Sequence, residues 1–293
     1  LILIILLIEK GVRTRYDDIN ESQRGFPMST EIDFTWIRGF FRISPEGAEN
    51  PVLELPGTDL LDGSKLLPAL EAAGRIVRAT GLELPASFAG LTLCNLCAVS
   101  LIVMARHNRM PDLSLSNLTF QLELQGSFFY FGYKIHDLRW KDIPESPGTE
   151  RAASAVQEWI PWFREAVVPA VEAIAAGAGV KPELIWGQFG GHLARVREFA
   201  VREERRDDAL TRLDHDVRTL TGLPAELFRR KRNPFVYRPR YIEDPYRPGE
   251  RMMMRSSCCM YYCRAEGAKC YNCPRLTSEE RESMRQAIAA QNR

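Results

Sequence analysis

The chain is short of histidine, of long apolar spans and of nucleotide-binding signatures, and each shortage removes a class of function. Its four histidines, His107, His136, His192 and His215, stand singly, with none at ligand spacing from another. A histidine-built metal site is therefore not expected, and each is read as structural, including His192 beside Gly190-Gly191 and Trp186. No GxGxxG fingerprint follows a strand-like run and no Walker loop is present. Hydride transfer from a bound dinucleotide and phosphate-loop chemistry drop out with them. The net charge is only +1, so the overall field names no partner. There is no internal repeat and no low-complexity tract. The apolar opening, LILIILLI, is too short to span a bilayer. It has no basic stretch before it and no small-residue cleavage site after it, so a cytoplasmic, reducing setting is expected.

What is present is a 293-residue chain with 45% hydrophobic and 26% charged residues. That balance builds a core without covalent staples, in one large domain or two small ones. The chain begins at Leu1 and its first methionine is Met28. Residues 1–27 are expected to be a mis-called or fragmentary start; the rival reading of LILIILLI is a short strand or a membrane-touching segment.

Leu66, Leu70, Ala73 and Val77 recur at helical spacing after Asp62, Gly63 and Ser64, which predicts a capped amphipathic helix. The run Leu91–Ala105 is almost wholly apolar and reads as a buried core helix. Leu118, Phe120, Leu122 and Leu124 alternate with Thr119, Gln121 and Glu123, one face in and one out. A turn at Gln125-Gly126 then leads into a second strand, whose Phe128, Phe129, Tyr130, Phe131 and Tyr133 are expected to fill both faces. Helical spacing resumes from Glu150 through Ile174, broken by Pro161 and Pro169. Trp159 and Trp162 within it suit helix packing. Further helices are predicted from near Pro182 through REFAVREERR, and from about Asp207 to Leu220, where Asp214-His215-Asp216 is expected to face solvent. Thr277 or Ser278 caps a last polar helix. The order predicts an α+β fold: a mostly helical body with a small antiparallel hairpin or sheet, and a cysteine-rich tail. The body is placed at 28–250 and the tail at 251–293.

Residues 229–255 hold nine Arg or Lys against three acids. Four prolines between Asn233 and Gly249 make the stretch extended. Arg229, Arg230, Lys231, Arg232, Arg238 and Arg240 are read first as a solvated loop, and second as an attractor for an acidic redox partner or an anionic chelate. Nucleic-acid binding is not expected, because no helix-turn-helix or finger pattern accompanies the basic run.

Five of the seven cysteines fall in RSSCCMYYCRAEGAKCYNCPR, residues 255–275. Cys258, Cys259, Cys270 and Cys273 have the spacing Cys-Cys-x10-Cys-x2-Cys, with Cys263 inside it. The Cys-x-x-Cys turn, with Asn272 and Pro274, lets two thiolates converge on one metal. Neighbouring side chains on an extended chain point apart, so Cys258 and Cys259 share one ion only across a local bend. They serve two irons more readily. Disulfides do not suit a reducing compartment, and free structural thiols do not crowd in so polar a segment. A zinc site built from four cysteines and an iron–sulfur cluster fit the spacing equally well. Cys94 and Cys97 also form Cys-x-x-Cys, but in the most apolar run of the chain, where thiols behave as small hydrophobes.

This tail resembles the C-terminal signature of the FhuF-type ferric-siderophore reductases, in which Cys-Cys-x10-Cys-x2-Cys follows a basic residue and precedes a proline. Arg255, Tyr261, Tyr262 and Pro274 surround the match, which covers about 20 of the 293 residues. Leu184-Ile185-Trp186-Gly187-Gln188 is similar to a Leu-Trp-Gly-Asn stretch of that family, with Gln for Asn. The resemblance implies a [2Fe–2S] cluster on Cys258, Cys259, Cys270 and Cys273, with Cys263 as a candidate alternative ligand. It implies one-electron reduction of a ferric siderophore, of hydroxamate type, and release of Fe(II). The electron donor would be a separate ferredoxin or reductase, and peripheral contact with the inner face of the membrane is compatible with this role. The rival class is a non-enzymatic zinc- or iron–sulfur-binding regulatory or interaction protein.

Overall fold

The computed structural model describes residues 31–291, so LILIILLI and the rest of residues 1–27 lie outside the described residues. The elements run α1 (Phe34–Phe41), β1 (Ile43–Ser44), β2 (Pro51–Pro56), α2 (Gly63–Val77), α3 (Glu83–His107), β3 (Arg109–Pro111), β4 (Leu118–Gln125), β5 (Phe128–Ile135) and β6 (Trp140–Asp142). Then follow α4 (Thr149–Trp162), α5 (Val168–Gly177), α6 (Glu183–Glu203), α7 (Asp207–Thr221), β7 (Tyr241–Glu243), β8 (Arg251–Met253) and α8 (Ser278–Gln291). The protein is α+β and mainly helical.

Helix α3 is the axis of the fold. Every residue from Leu84 to Ala105 is buried, because α1, α2, α5, α6, α7 and strand β5 all pack around it. It is long and apolar enough to cross a membrane by length and composition, yet 94% of its most apolar window is covered by protein. An apolar run with no polar face is what a helix enclosed on all sides requires.

One sheet has the order β1-β5-β4-β2, with β1 parallel to β5 and the other pairs antiparallel. The hairpin turn is Gly126-Ser127, one residue later than the sequence suggests. Gln125 pairs with Phe128, and Gly126 takes the left-handed conformation at φ +61° that a two-residue turn needs. Strand β5 is buried on both faces from Phe128 to Tyr133. Strand β4 departs from strict alternation. Leu124 is exposed near the hairpin tip, while Gln121 is buried and spends its amide on Glu54 Oε1 and the Ala48 N–H.

Local signals place the helix ends. Asp62 accepts from the Ser64 N–H to cap α2. Thr277 and Glu280 exchange side-chain-to-backbone bonds ahead of α8, a complete capping box. Pro161 and Pro169 flank a wide π-type turn over Phe163–Val167 that separates α4 from α5.

One expectation is corrected on α7. Asp214-His215-Asp216 is not an exposed face, because Asp216 is fully buried. Its carboxylate takes two bonds from Arg151, at 2.7 and 2.6 Å. Arg151 uses its remaining donors on Asn108 Oδ1, Pro144 O and Met104 O. A buried guanidinium with all its donors matched ties α4 and α7 to the end of α3.

Candidate metal centre in the cysteine tail

The tail does not stand apart from the body. Strand β8 pairs antiparallel with β7, and Cys258, Cys259, Met260, Tyr261 and Cys273 belong to the same apolar core as α3. The Tyr261 ring packs 5.6 Å from that of Phe128, and the Arg264 guanidinium covers its face at 4.2 Å.

Helix α6 is the bed on which the tail lies. Gly187 and Gly191 are four residues apart and share one stripe of the helix. The Ser256 hydroxyl enters there, donating to Gly187 O at 2.7 Å and accepting from the Gly191 N–H at 3.1 Å. A Cβ on Gly191 would lie 2.3 Å from Ser256 Oγ and 2.9 Å from Ser256 N. Only glycine admits this approach. A second anchor runs through α3: Gln188 Nε2 donates to Ser87 Oγ at 2.9 Å, and Ser87 Oγ donates to Cys259 O at 2.9 Å. Gln188, the residue that departs from the Asn of the resemblance, thus holds the Cys259 backbone through Ser87.

The chain bends directly after the adjacent cysteines. Met260 takes a left-handed φ of +59°, and its N–H donates to Cys258 Sγ at 3.4 Å. The Cys273 thiol meets Cys258 Sγ at 3.6 Å across 14 intervening residues. Cys270 is next in line, with its thiol bonded to Cys273 and to Arg255. The Cys-x-x-Cys turn closes as expected, with the Cys273 N–H on Cys270 O at 2.9 Å. Arg255 lies against Cys259, Cys270 and Cys273. All seven cysteines are free thiols. Among the described residues, no three His, Cys, Asp or Glu side chains stand gathered at metal-binding geometry. Cys258 and Cys270 each contact Cys273, and Cys259 lies on the Arg255 side.

The thiol environments differ. The Cys273 S–H, aided by the Met260 N–H, holds the Cys258 thiol below its ordinary range against the effect of burial. Cys270 is pushed up, first by its bond to Cys273 and then by burial. Burial also pushes up Cys263, which is half-exposed. The backbone of Cys263 belongs to another contact, with its carbonyl accepting from the Thr80 N–H at 3.2 Å. Cys94 and Cys97 sit fully enclosed in α3, their S–H groups directed to Phe189 O and Leu93 O, and burial raises both.

The donor types in the motif are those that a thiolate-held metal centre takes. All four are soft donors. The 3.6 Å contact is close to the ~3.8 Å between two thiolates on one tetrahedral ion with bonds of about 2.3 Å. Two buried donors nearby, Arg195 Nη1 on α6 and Arg255 Nε, have no hydrogen-bond acceptor. Sequence reasoning did not single out Arg195 and read His192 as structural. The signal that would have found Arg195 is the stripe Gly187, Gly191, Arg195, at successive steps of four along α6.

Of the other sequence candidates, Arg230 pairs with Glu172 and Glu183, while Arg229, Lys231, Arg232, Arg238 and Arg240 are exposed. Two shallow hollows, lined by residues such as Ile102, Arg106 and Leu213 and by Asp33, Trp36 and His107, contain no cysteine. No protein-family model matches the chain, and no curated protein sequence matches it.

Proposed function

We propose that the protein is a cytoplasmic ferric-siderophore reductase, which uses thiolate-held [2Fe–2S] at Cys258, Cys259, Cys270 and Cys273 to pass one electron to chelated Fe(III). The observation that carries this reading is the placing of Cys259, Cys270 and Cys273 against Arg255, with Cys258 in contact with Cys273. The resemblance of the tail to ferric-siderophore reductases selects iron–sulfur over zinc. When bound, the group supplies a one-electron donor of low potential, as all-thiolate ligation favours.

The chain's own residues do the rest. Cys258, Cys259 and Cys273 are buried and keep one side of the site dry. Cys270 is the half-exposed member of the four, so the short route to a docked chelate leaves on its side. Ser256, Ser87 and Gln188 fix the segment on α6 and α3, so the thiols arrive pre-oriented. The substrate is an iron chelate with hard oxygen donors, which grip Fe(III) more strongly than Fe(II) because of its higher charge. One electron therefore loosens the chelate and releases Fe(II). The electron comes from a separate ferredoxin or reductase, and exposed Arg238 and Arg240 lie close in sequence to β7, which leads to the site.

The test is anaerobic purification, followed by an absorption spectrum and assays of iron and acid-labile sulfide. A red-brown protein whose colour bleaches on reduction and returns on addition of a ferric hydroxamate siderophore is the expected result. A colourless protein carrying one zinc would refute the reading in favour of a non-enzymatic binding module.

A further inference from the structure

Three cationic or proton-bearing side chains crowd beneath the cysteines with no carboxylate among the groups that act on them. Arg195 continues the stripe of Gly187 and Gly191 along α6, one turn beyond the point where Ser256 docks. Arg255 precedes Ser256 in the tail. Burial and then the nearby Arg255 guanidinium lower Arg195 to about 10, whereas Cys259 and Cys270 raise Arg255 against the effect of burial. His192, one helical turn before Arg195, is only 4% exposed. Neither of its ring nitrogens has a hydrogen-bond partner, and Arg195 Nη1 and Arg255 Nε are likewise unmatched. Among the described residues, no carboxylate pairs with Arg195 or Arg255. The contrast with Arg151 is direct, since that buried guanidinium has a carboxylate and three further acceptors. A cation buried without an anion is costly, so Arg195 and Arg255 are arranged for negative charge on the cysteine side of the site.

The thiols that face Arg255 define where that charge sits. Four thiolates around two ferric ions and two sulfides leave a dianion, and so do four thiolates around one zinc. Two guanidinium ions match it. We propose that Arg195 and Arg255, with His192 as a neutral third donor, form a buried cradle that offsets the charge of the group held by Cys258, Cys259, Cys270 and Cys273. In this role they govern how tightly the group is retained and how readily it accepts an electron. The proposal rests on the metal-centre reading of those four cysteines. Arg195 and His192 are positioning residues here, acting on the thiolate-held group rather than on the siderophore. Arg195 Nη1, Arg255 Nε and the His192 ring nitrogens are shut off from solvent, where charge-assisted hydrogen bonds are strongest. Addition of an electron makes the group more negative, so the two cations favour the reduced state over a site without them.

The test compares wild type with Arg195→Met, Arg195→Lys and His192→Gln. Each is purified without oxygen, assayed for iron, sulfide and zinc, challenged with a chelator and titrated for its midpoint potential. The chelator-stripped forms are unfolded in urea. Arg195→Met is expected to release its metal about 10- to 100-fold faster than wild type, the usual scale for loss of a group that supports metal ligands. Its midpoint potential moves to more negative values, while Arg195→Lys retains most of the wild-type behaviour and His192→Gln shows the smaller loss. The stripped Arg195→Met protein is at least as stable as stripped wild type, because an unbalanced buried cation has been removed. Opposite signs in the loaded and stripped proteins are what a merely structural arginine would not produce. Equal release rates with an unchanged potential would overturn the cradle, as would a stripped Arg195→Met protein less stable than stripped wild type. If wild type carries zinc in place of iron and sulfide, the reductase reading fails, and zinc release from Arg195→Met still decides the cradle. If it carries neither, both fail.

Discussion

Substituting alanine for Gly191 tests whether α6 is the bed of the cysteine segment. The added Cβ would meet Ser256 Oγ at 2.3 Å, Ser256 Cβ at 2.7 Å and Ser256 N at 2.9 Å. The serine side chain can rotate, but the backbone nitrogen cannot give way unless the whole Arg255–Cys259 segment lifts. Lifting breaks the two bonds of the Ser256 hydroxyl, worth about 1 kcal/mol each. It also strains the Ser87 bond to Cys259 O. Against this, alanine in a helix interior gains about 1 kcal/mol over glycine. The net expectation is a loss of about 1–2 kcal/mol in urea unfolding, with faster reaction of Cys258 and Cys259 toward a thiol reagent and weaker metal retention. Gly39→Ala is the control, since a Cβ there meets nothing within 4 Å. It should be neutral or stabilising by up to about 1 kcal/mol. If Gly191→Ala matched Gly39→Ala in stability, with unchanged thiol reactivity, the docking of the tail on α6 would be wrong.

Further outcomes follow from other contacts. Cys263→Ser should keep its iron and sulfide, because the Cys263 backbone is tied to Thr80, whereas Ser at Cys258, Cys259, Cys270 or Cys273 should lose or destabilise them; metal loss in Cys263→Ser would show the ligand set to be wrong. Asp216→Ala should destabilise the fold by about 3–5 kcal/mol, since it strands a buried arginine. The Arg151 and Asp216 side chains are 0% and 1% exposed, and an unchanged urea midpoint would refute the pairing. Cys94 and Cys97 should resist alkylation near pH 8 in the native protein and react only on unfolding, because burial raises both thiols and leaves almost no thiolate. Rapid native labelling of either, mapped by mass spectrometry, would contradict the enclosed position of α3.

Much of the helical framework was legible because its signals are local. Asp62 before Ser64, Thr277 before Glu280, and the paired prolines at 161 and 169 each act within one or two turns, so their effect is decided by the neighbouring chain alone. The apolar run around Cys94 and Cys97 announces a helix enclosed on every side, whatever encloses it. Misreadings came where distant residues supply the partner. Asp216 looks like a surface acid until Arg151, 65 residues away, is placed against it. Leu124 looks like a core residue until the hairpin tip projects past the sheet.

The candidate site divides the same way. The sequence alone determined which thiols cluster, because their spacing and the Cys-x-x-Cys turn are short-range properties of residues 258–273. Through the resemblance it also marked Gln188 as a departure from Asn, without a reason. Only the tertiary structure decided what the tail lies on: it brought Ser256 onto Gly187 and Gly191, Ser87 onto Cys259, and Cys273 onto Cys258. It alone set Arg195 and His192 beside Arg255. Those positions are about 60 residues apart in sequence, and a charge reveals itself as unbalanced only when packing has shown which carboxylates are absent around it.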